Sequence, residues 1–180
     1  MNAKILTYLA LIAFMTTTTF AADNWKEKLQ KELPLLGHRN WIVVADSAYP
    51  LQTAAGIETI YVDADQLDVV KGVIAELVKT KHVKPTIYTD AEMKFVAETN
   101  APGISAYRDG LGKILGNQPL RVLPHEQIIA QLDEAGKTFK VLLIKTPLTQ
   151  PYTSVFFQLE CGYWNAESEE QLRAAMRAAK

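Results

Sequence analysis

The sequence predicts an α/β protein in which helices cover both faces of a mixed, mostly parallel sheet of about six strands. Short apolar runs alternate along the chain with segments whose apolar residues recur at helical spacing. The last two apolar runs, 139–144 and 155–159, are joined by a loop too short to hold a crossover helix. These two strands are therefore expected to run antiparallel to each other, which makes the sheet mixed.

The first 21 residues have the pattern of a secretory signal peptide. Lys4 supplies a positive charge, residues 5–15 form an apolar stretch, and small residues predict cleavage after Ala21 or Ala22. The apolar stretch is shorter than the ~20 residues of a spanning helix, although a retained N-terminal anchor is the alternative. We therefore expect export, to the periplasm or the outside of the cell.

Residues 22–180 fit one domain with a core large enough to fold unaided. The formal net charge of −1 becomes −2 once Lys4 is removed, because residues 1–21 contain no other charged side chain. No basic block is present, so neither nucleic acid nor, after signal cleavage, a membrane is an expected partner. Cys161 is the only cysteine, which excludes an intramolecular disulfide.

In the first half of the domain, the sequence predicts two clear helices and three strands. Trp25, Leu29 and Leu33 lie at helical spacing before Pro34, and a second helix follows Asp65 with Leu67, Val70, Ile74, Leu77 and Val78 on one face. Strands are predicted at 41–45, 59–62 and 86–88. The sequence Thr89-Asp90-Ala91-Glu92 has the form of a capping box and predicts a further helix.

The second half continues the alternation. Apolar spacing predicts a helix near 104–114, and Pro124 is well placed to open a helix after the strand 120–123. After the strands 139–144 and 155–159, the Ala-, Glu- and Arg-rich segment 166–180 predicts an extra C-terminal helix.

His38 and Asp46 flank the apolar strand 41–45 and are the first two candidate site residues. An imidazole exchanges protons near neutral pH, but a histidine at a helix end also binds backbone carbonyls. Open α/β sheets bind ligands at the carboxyl ends of their strands, where Asp46 is expected, although an aspartate there also forms ordinary turns.

His125 and the tripeptide 152–154 are the remaining candidates. The N-terminus of a helix disfavours an imidazolium, so a neutral His125 would accept a hydrogen bond from a sugar hydroxyl; a solvated first-turn residue is the alternative. Tyr152, Thr153 and Ser154 offer three hydroxyls for a polyol, or simply begin a strand as good β-formers.

Other catalytic motifs have no match in the sequence. The three histidines, His38, His82 and His125, have no partner at metal-ligand spacing, so no metal is predicted. Gly110 and Gly112 are not followed by a phosphate-binding fingerprint, and no Gly-x-Ser-x-Gly elbow is present. A hydrolase of an unrelated class therefore has little support.

Several short motifs, taken together, resemble the ribose pyranase and fucose mutarotase family, RbsD/FucU. They are Leu36-Gly37-His38, Ile42-Val43-Val44, Asp46 with Pro50, Pro124-His125-Glu126-Gln127, and Lys145 through Pro151-Tyr152. Their order and spacing agree over about residues 29–164. The resemblance implies a three-layer α/β/α fold, ring-shaped homo-oligomers that are commonly decamers, and cofactor-free interconversion of monosaccharide ring forms.

The resemblance also implies roles for the candidate residues. His38 matches the proton donor, Asp46 and His125 match substrate-binding positions, and Tyr152, Thr153 and Ser154 match the sugar-binding tripeptide. The chain departs from the family at Ser154, where an Asn is usual, and at Pro147 and Leu148, where a Gly-Glu pair is frequent. These departures favour an alternative, a non-catalytic exported sugar-binding or sensing protein.

The spacing of His38 and Asp46 adds a geometric prediction. Eight extended residues span on the order of 25 Å, so the two side chains are too far apart to hold one monosaccharide within a protomer. Either the site is assembled between neighbouring subunits, or the chain folds back sharply at His38.

Overall fold

The computed structural model describes residues 24–179, so the predicted signal peptide lies outside the described residues. The helices are α1 (Asn24–Glu32), α2 (Gln66–Val78), α3 (Ile104–Leu115), α4 (His125–Gly136) and α5 (Ala166–Ala178). The strands are β1 (Trp41–Ala45), β2 (Ile57–Tyr61), β3 (Val83–Asp90), β4 (Leu120–Leu123), β5 (Val141–Lys145) and β6 (Val155–Cys161). None of the described helices is long and apolar enough to cross a membrane.

The six strands form one sheet in the order β2-β5-β1-β6-β3-β4. β6 runs against its neighbours β1 and β3, while every other neighbouring pair is parallel. The prediction of a mixed, mostly parallel sheet is therefore confirmed. β5 and β6 run in opposite directions, as expected from their short connection, but β1 lies between them.

Helices cover both faces of the sheet, so the fold has three layers. One apolar cluster joins α1, α2 and α3 to one face, and a second joins α4 to the other. β1 contributes to both clusters, with Ile42 and Val44 in the first and Trp41, Val43 and Ala45 in the second. This alternation is the period of two of a strand buried on both sides, which explains why the whole segment is apolar.

β3 is longer than predicted and contains Pro85. Pro85 faces Leu159 of β6 on one side, but the pairing of β3 with β4 begins only at Ile87, so no β4 residue lies opposite the proline. A proline is tolerated at such an open position because no ladder bond is lost on that side.

The predicted capping box at 89–92 is wrong. Asp90 ends β3, its side chain caps nothing, and a 3₁₀ turn at Ala91–Phe95 replaces the expected helix. Thr89 and Asp90 are buried and paired with β4, so the sheet overrides the local helix signal.

The buried face of α2 is rotated from the predicted one. Val69 and Val73 are fully buried, whereas Val78 is largely exposed. α1 crosses α2 at Gly72, where an added Cβ would lie 2.5 Å from the Trp25 ring. The tryptophan therefore packs directly on the helix backbone at this glycine.

Candidate functional site

One edge of the sheet gathers the polar side chains of four adjacent strands. Asp46 follows β1, Ser154 precedes the antiparallel β6, Asp90 ends β3, and His125 follows β4 after one proline. Because neighbouring strands lie about 4.8 Å apart, these four positions form a row along the carboxyl edge of the parallel strands. Open α/β sheets place their ligands at this edge.

Asp46 and Ser154 are in direct contact. The Ser154 hydroxyl donates to Asp46 Oδ2 at 3.2 Å, while Asp46 Oδ1 accepts from the backbone N–H of Ala48 at 2.9 Å. Ser154 is almost fully buried, and Asp46 is half-buried. The aspartate is thus held in a fixed orientation, with part of its carboxylate surface open to solvent.

His125 is fixed by two carboxylates. Its Nδ1 lies 3.1 Å from Asp90 Oδ2, and its backbone N–H donates to both carboxylate oxygens of Glu92, at 3.1 and 3.0 Å. Glu92 therefore satisfies one of the free N–H groups at the start of α4. The ring is held by Asp90 and the backbone by Glu92.

Tyr152 brings the loop before β6 to His125. The two rings meet edge to face, with centroids 5.7 Å apart. Tyr152 has φ = 58°, a left-handed conformation that is unfavourable for a bulky side chain. Strain of this kind collects at functional sites because the surrounding fold enforces it.

The buried side-chain amide of Gln66 anchors the loop before β6. Gln66, the first residue of α2, donates to the Tyr107 hydroxyl at 2.9 Å and to the Thr153 carbonyl at 2.6 Å, and its carbonyl accepts from Thr146 at 2.7 Å. The Tyr107 hydroxyl also donates to the Thr153 carbonyl, at 2.7 Å. With every hydrogen-bonding group of its amide satisfied, Gln66 ties the 152–154 segment to two helices.

Burial raises the pKa of the Asp90 carboxyl from 3.8 to about 6. The neighbouring His125 opposes this rise, while the charges of Glu92 and Asp46 add to it. Asp90 is 2% exposed and its Oδ1 has no partner among the described residues. Near neutral pH the site therefore holds a buried carboxylate whose ionisation is disfavoured by its surroundings.

This raised pKa predicts a pH-dependent stability. A carboxyl that binds its proton more tightly in the folded state contributes stability below its unfolded pKa, and that contribution is lost as pH rises through about 6. Between pH 4 and 7, we expect wild type to lose about 1–3 kcal/mol of unfolding free energy relative to Asp90→Asn. Urea unfolding at a series of pH values measures the difference.

Asp133→Asn is the matched control for this measurement, since Asp133 is an exposed carboxylate on α4. Its stability difference from wild type should change little over the same pH range. Parallel pH profiles for wild type and Asp90→Asn would contradict the raised pKa.

His38 lies at the opposite end of β1 from Asp46. It is exposed, and its Nδ1 is 3.0 Å from Glu160 Oε2 on β6. Arg39, the next residue, has φ = 74°, but the chain continues directly into β1 and does not bring His38 back to the Asp46 edge. Of the two geometric alternatives, the sharp fold-back is therefore absent, and one protomer does not bring His38 and Asp46 together.

Thr153 differs from its two neighbours in the tripeptide. It is fully buried, and its hydroxyl donates to the Gln150 carbonyl at 2.8 Å. Of the three expected residues, only Ser154 belongs to the polar row, and Tyr152 lies beside it against His125. Thr153 contributes through its carbonyl, which anchors the loop to Gln66.

Asp90 and Glu92 are the site residues that sequence reasoning missed. Both fall within the predicted capping box, a local pattern that indicates a helix start. The available signal for Asp90 is its position at the carboxyl end of a strand, which resembles that of Asp46 directly after β1.

An open cavity of about 360 Å³ lies further along the same edge, beyond the ends of β2 and β5. It is lined by Asp63, Ala64, Asp65, Gln66, Pro147 and Leu148. The backbone N–H of Ser47, which follows Asp46, donates to the Leu148 carbonyl, so the cavity borders the polar row.

At this edge the Asp46 carboxylate, the His125 imidazole and the Tyr152 hydroxyl belong to partly exposed residues, whereas Ser154 and Asp90 are buried behind them. This is the donor and acceptor set that suits a polyhydroxylated molecule, and the imidazole adds a group able to move a proton near neutral pH. No cluster of three metal-ligating side chains occurs among residues 24–179.

The fold and the polar row define an α/β protein with its site at the carboxyl edge of the sheet. The family model described as the RbsD / FucU transport protein family matches residues 25–162. The chain belongs to this family.

Solved structures agree in fold. The structure of Bacillus subtilis RbsD complexed with D-ribose is similar with a TM-score of 0.53 and 20% identity, covering 74% of this chain and 91% of that one. FucU from Bifidobacterium longum is similar with a TM-score of 0.50 and 15% identity, covering 74% and 94%. No curated protein sequence matches the chain.

Proposed function

We propose that this protein is a monosaccharide mutarotase or pyranase, which interconverts the ring forms or anomers of a free sugar without a cofactor. The observation that carries the proposal is the polar row of Asp46, Ser154, Asp90 and His125 at the carboxyl edge of the sheet, with Tyr152 packed against His125. Membership of the RbsD/FucU family supports it, as does the D-ribose bound to the Bacillus subtilis relative.

The proposed chemistry needs one base and one acid. The base removes the proton of the anomeric hydroxyl while the acid protonates the ring oxygen, and the ring opens to the carbonyl form. In this scheme Asp46 orients the sugar, His125 accepts a hydroxyl proton and Tyr152 packs beside the imidazole. His38 is the proposed proton donor.

Because His38 lies at the far end of β1, we assign that donor to a neighbouring protomer. The active unit in this proposal is a ring-based homo-oligomer, in which His38 of one subunit completes the Asp46 edge of another. The exposure of His38 in the single chain supports this arrangement, because a buried side chain could not reach a neighbouring protomer. A monomeric form with full activity would contradict it.

NMR magnetisation transfer between sugar anomers tests the function. A panel of free aldoses, including D-ribose and L-fucose, is measured with wild type and with His38→Ala. We expect wild type to speed exchange of at least one sugar, and His38→Ala to reduce that effect by about 10²–10⁴. Binding without faster exchange would refute the mutarotase proposal.

That outcome would support the second candidate, a non-catalytic sugar-binding or sensing protein. Leu148 favours this alternative, because an apolar side chain that packs against the core stands where the family frequently has a carboxylate. Under either function the proposed location is outside the cytoplasm, periplasmic or secreted, on the basis of the signal-like pattern of residues 1–21.

A further inference from the structure

Asp90 is a buried ionisable residue in contact with the proposed site. It is 2% exposed, its Oδ2 lies 3.1 Å from His125 Nδ1, and its Oδ1 is buried without a partner among the described residues. A carboxylate placed in this way destabilises the folded protein unless its interaction with the imidazole compensates. Its position therefore points to a role in the state of His125.

The contact determines where the imidazole carries its proton. An ionised carboxylate only accepts hydrogen bonds, so the Nδ1 beside Asp90 must be protonated. In a neutral imidazole, Nε2 is then the nitrogen with the free lone pair. Nε2 makes no hydrogen bond to the described residues, and the side chain is 29% exposed, so this lone pair is available to a ligand.

The orientation of the ring is fixed as well as its tautomer. Glu92 holds the backbone N–H of His125 at the start of α4, and the Tyr152 ring meets the imidazole edge to face. The backbone of Asp90 is fixed in the sheet, because Asp90 is the last residue of β3 and pairs with Leu123 of β4. The ring is thus held by Asp90 and Tyr152, and the backbone of His125 by Glu92.

We propose that Asp90 is a positioning residue that holds His125 in its Nδ1–H tautomer, so that Nε2 is the atom that accepts the anomeric hydroxyl proton. The inference rests on the proposed function for its role in exchange. In that step an N–H bond forms at Nε2 as the sugar O–H bond breaks. The O–H electron pair becomes the second bond of the carbonyl.

The bond between the anomeric carbon and the ring oxygen breaks in the same step. Its electron pair moves to the ring oxygen, which takes a proton from the acid, His38 of a neighbouring protomer or water. Asp90 stabilises the imidazolium that results, because its charge lies against Nδ1. Return of the proton from Nε2 during ring closure restores the neutral histidine.

The tautomer is tested without any sugar, by ¹⁵N NMR of His125 in the full chain at a pH where the ring is neutral. We expect wild type to show a protonated Nδ1 and an unprotonated Nε2. In Asp90→Asn the amide presents either an oxygen or an NH₂ group to the ring, so a mixture of tautomers is expected. An unprotonated Nδ1 in wild type, or identical tautomers in both proteins, would overturn the proposal.

The kinetic test uses the same variant with an exchanging sugar. Asp90→Asn should lower the maximal exchange rate by about tenfold or more while the apparent affinity changes little, because the ring is still present to bind. Asp133→Asn on α4 should leave both quantities unchanged. An equal loss of rate and affinity, or no loss of rate, would contradict the positioning role.

The mutarotase function and the positioning role of Asp90 can be refuted independently of each other. If no sugar exchanges faster with wild type, the mutarotase function fails, while the NMR spectrum still decides whether Asp90 sets the tautomer. If wild type speeds the exchange of sugar anomers while the spectrum of His125 shows the proton on Nε2, the proposed function is retained and the proposed role of Asp90 is refuted.

Discussion

Replacing His125 with glutamine is expected to reduce sugar exchange by about 10²–10⁴, the usual contribution of a general acid–base group. Glutamine keeps a hydrogen-bonding side chain at the start of α4 but has no group that takes up a proton near neutral pH. The backbone N–H of residue 125 remains bonded to Glu92, so the helix should begin at the same residue. Anomeric magnetisation transfer measures the effect.

His82→Gln provides the matched control. His82 is a half-buried histidine whose Nε2 lies 3.1 Å from the carbonyls of Leu33 and Leu36, away from the polar row. Its replacement should leave exchange per folded molecule unchanged, even if it lowers stability. Full exchange in His125→Gln, with the variant folded by circular dichroism, would remove His125 from the proposed mechanism.

Truncating Phe156 to alanine should give the largest loss of stability, about 3–5 kcal/mol of unfolding free energy. Phe156 is fully buried on β6, where it pairs with Val43 of β1 and Tyr88 of β3. The truncation removes the ring from the apolar cluster beneath α4 and leaves a cavity there. Urea unfolding monitored by circular dichroism measures the loss.

Val78→Ala is the control for this truncation, because Val78 lies at the exposed end of α2. Its unfolding free energy should remain within about 0.5 kcal/mol of wild type. A loss of less than about 1 kcal/mol for Phe156→Ala would show that β6 is not the packed centre of the sheet.

The fold could be predicted from sequence where runs of apolar residues agree with the positions of prolines and other residues that end helices and strands. β1 and β4 lie where the apolar runs 41–45 and 120–123 predicted them, and α4 starts directly after Pro124. The prediction failed where tertiary pairing overrides a local signal. Residues 89–92 have the form of a helix start, but pairing with β4 and β6 extends β3 through Asp90.

The site was predicted in part, for a similar reason. The sequence points to Asp46 because it follows a strand and to His125 because it begins a helix, and the sheet order brings both to one edge with Ser154 and Tyr152. The order of strands depends on packing between distant segments, so no local pattern in the sequence reveals that β6 and β3 separate β1 from β4. Asp90 therefore emerged as the partner of His125 only from the folded chain.

The most direct test of the central claim is NMR mapping of the residues that a bound sugar contacts in the assembled protein. Side-chain resonances of Tyr152, His125 and His82 are followed as D-ribose or another exchanging aldose is added. We expect saturable shifts at Tyr152 and His125 and none at His82. Saturable shifts confined to other residues, with Tyr152 and His125 unchanged, would contradict a sugar site at the carboxyl edge of the sheet.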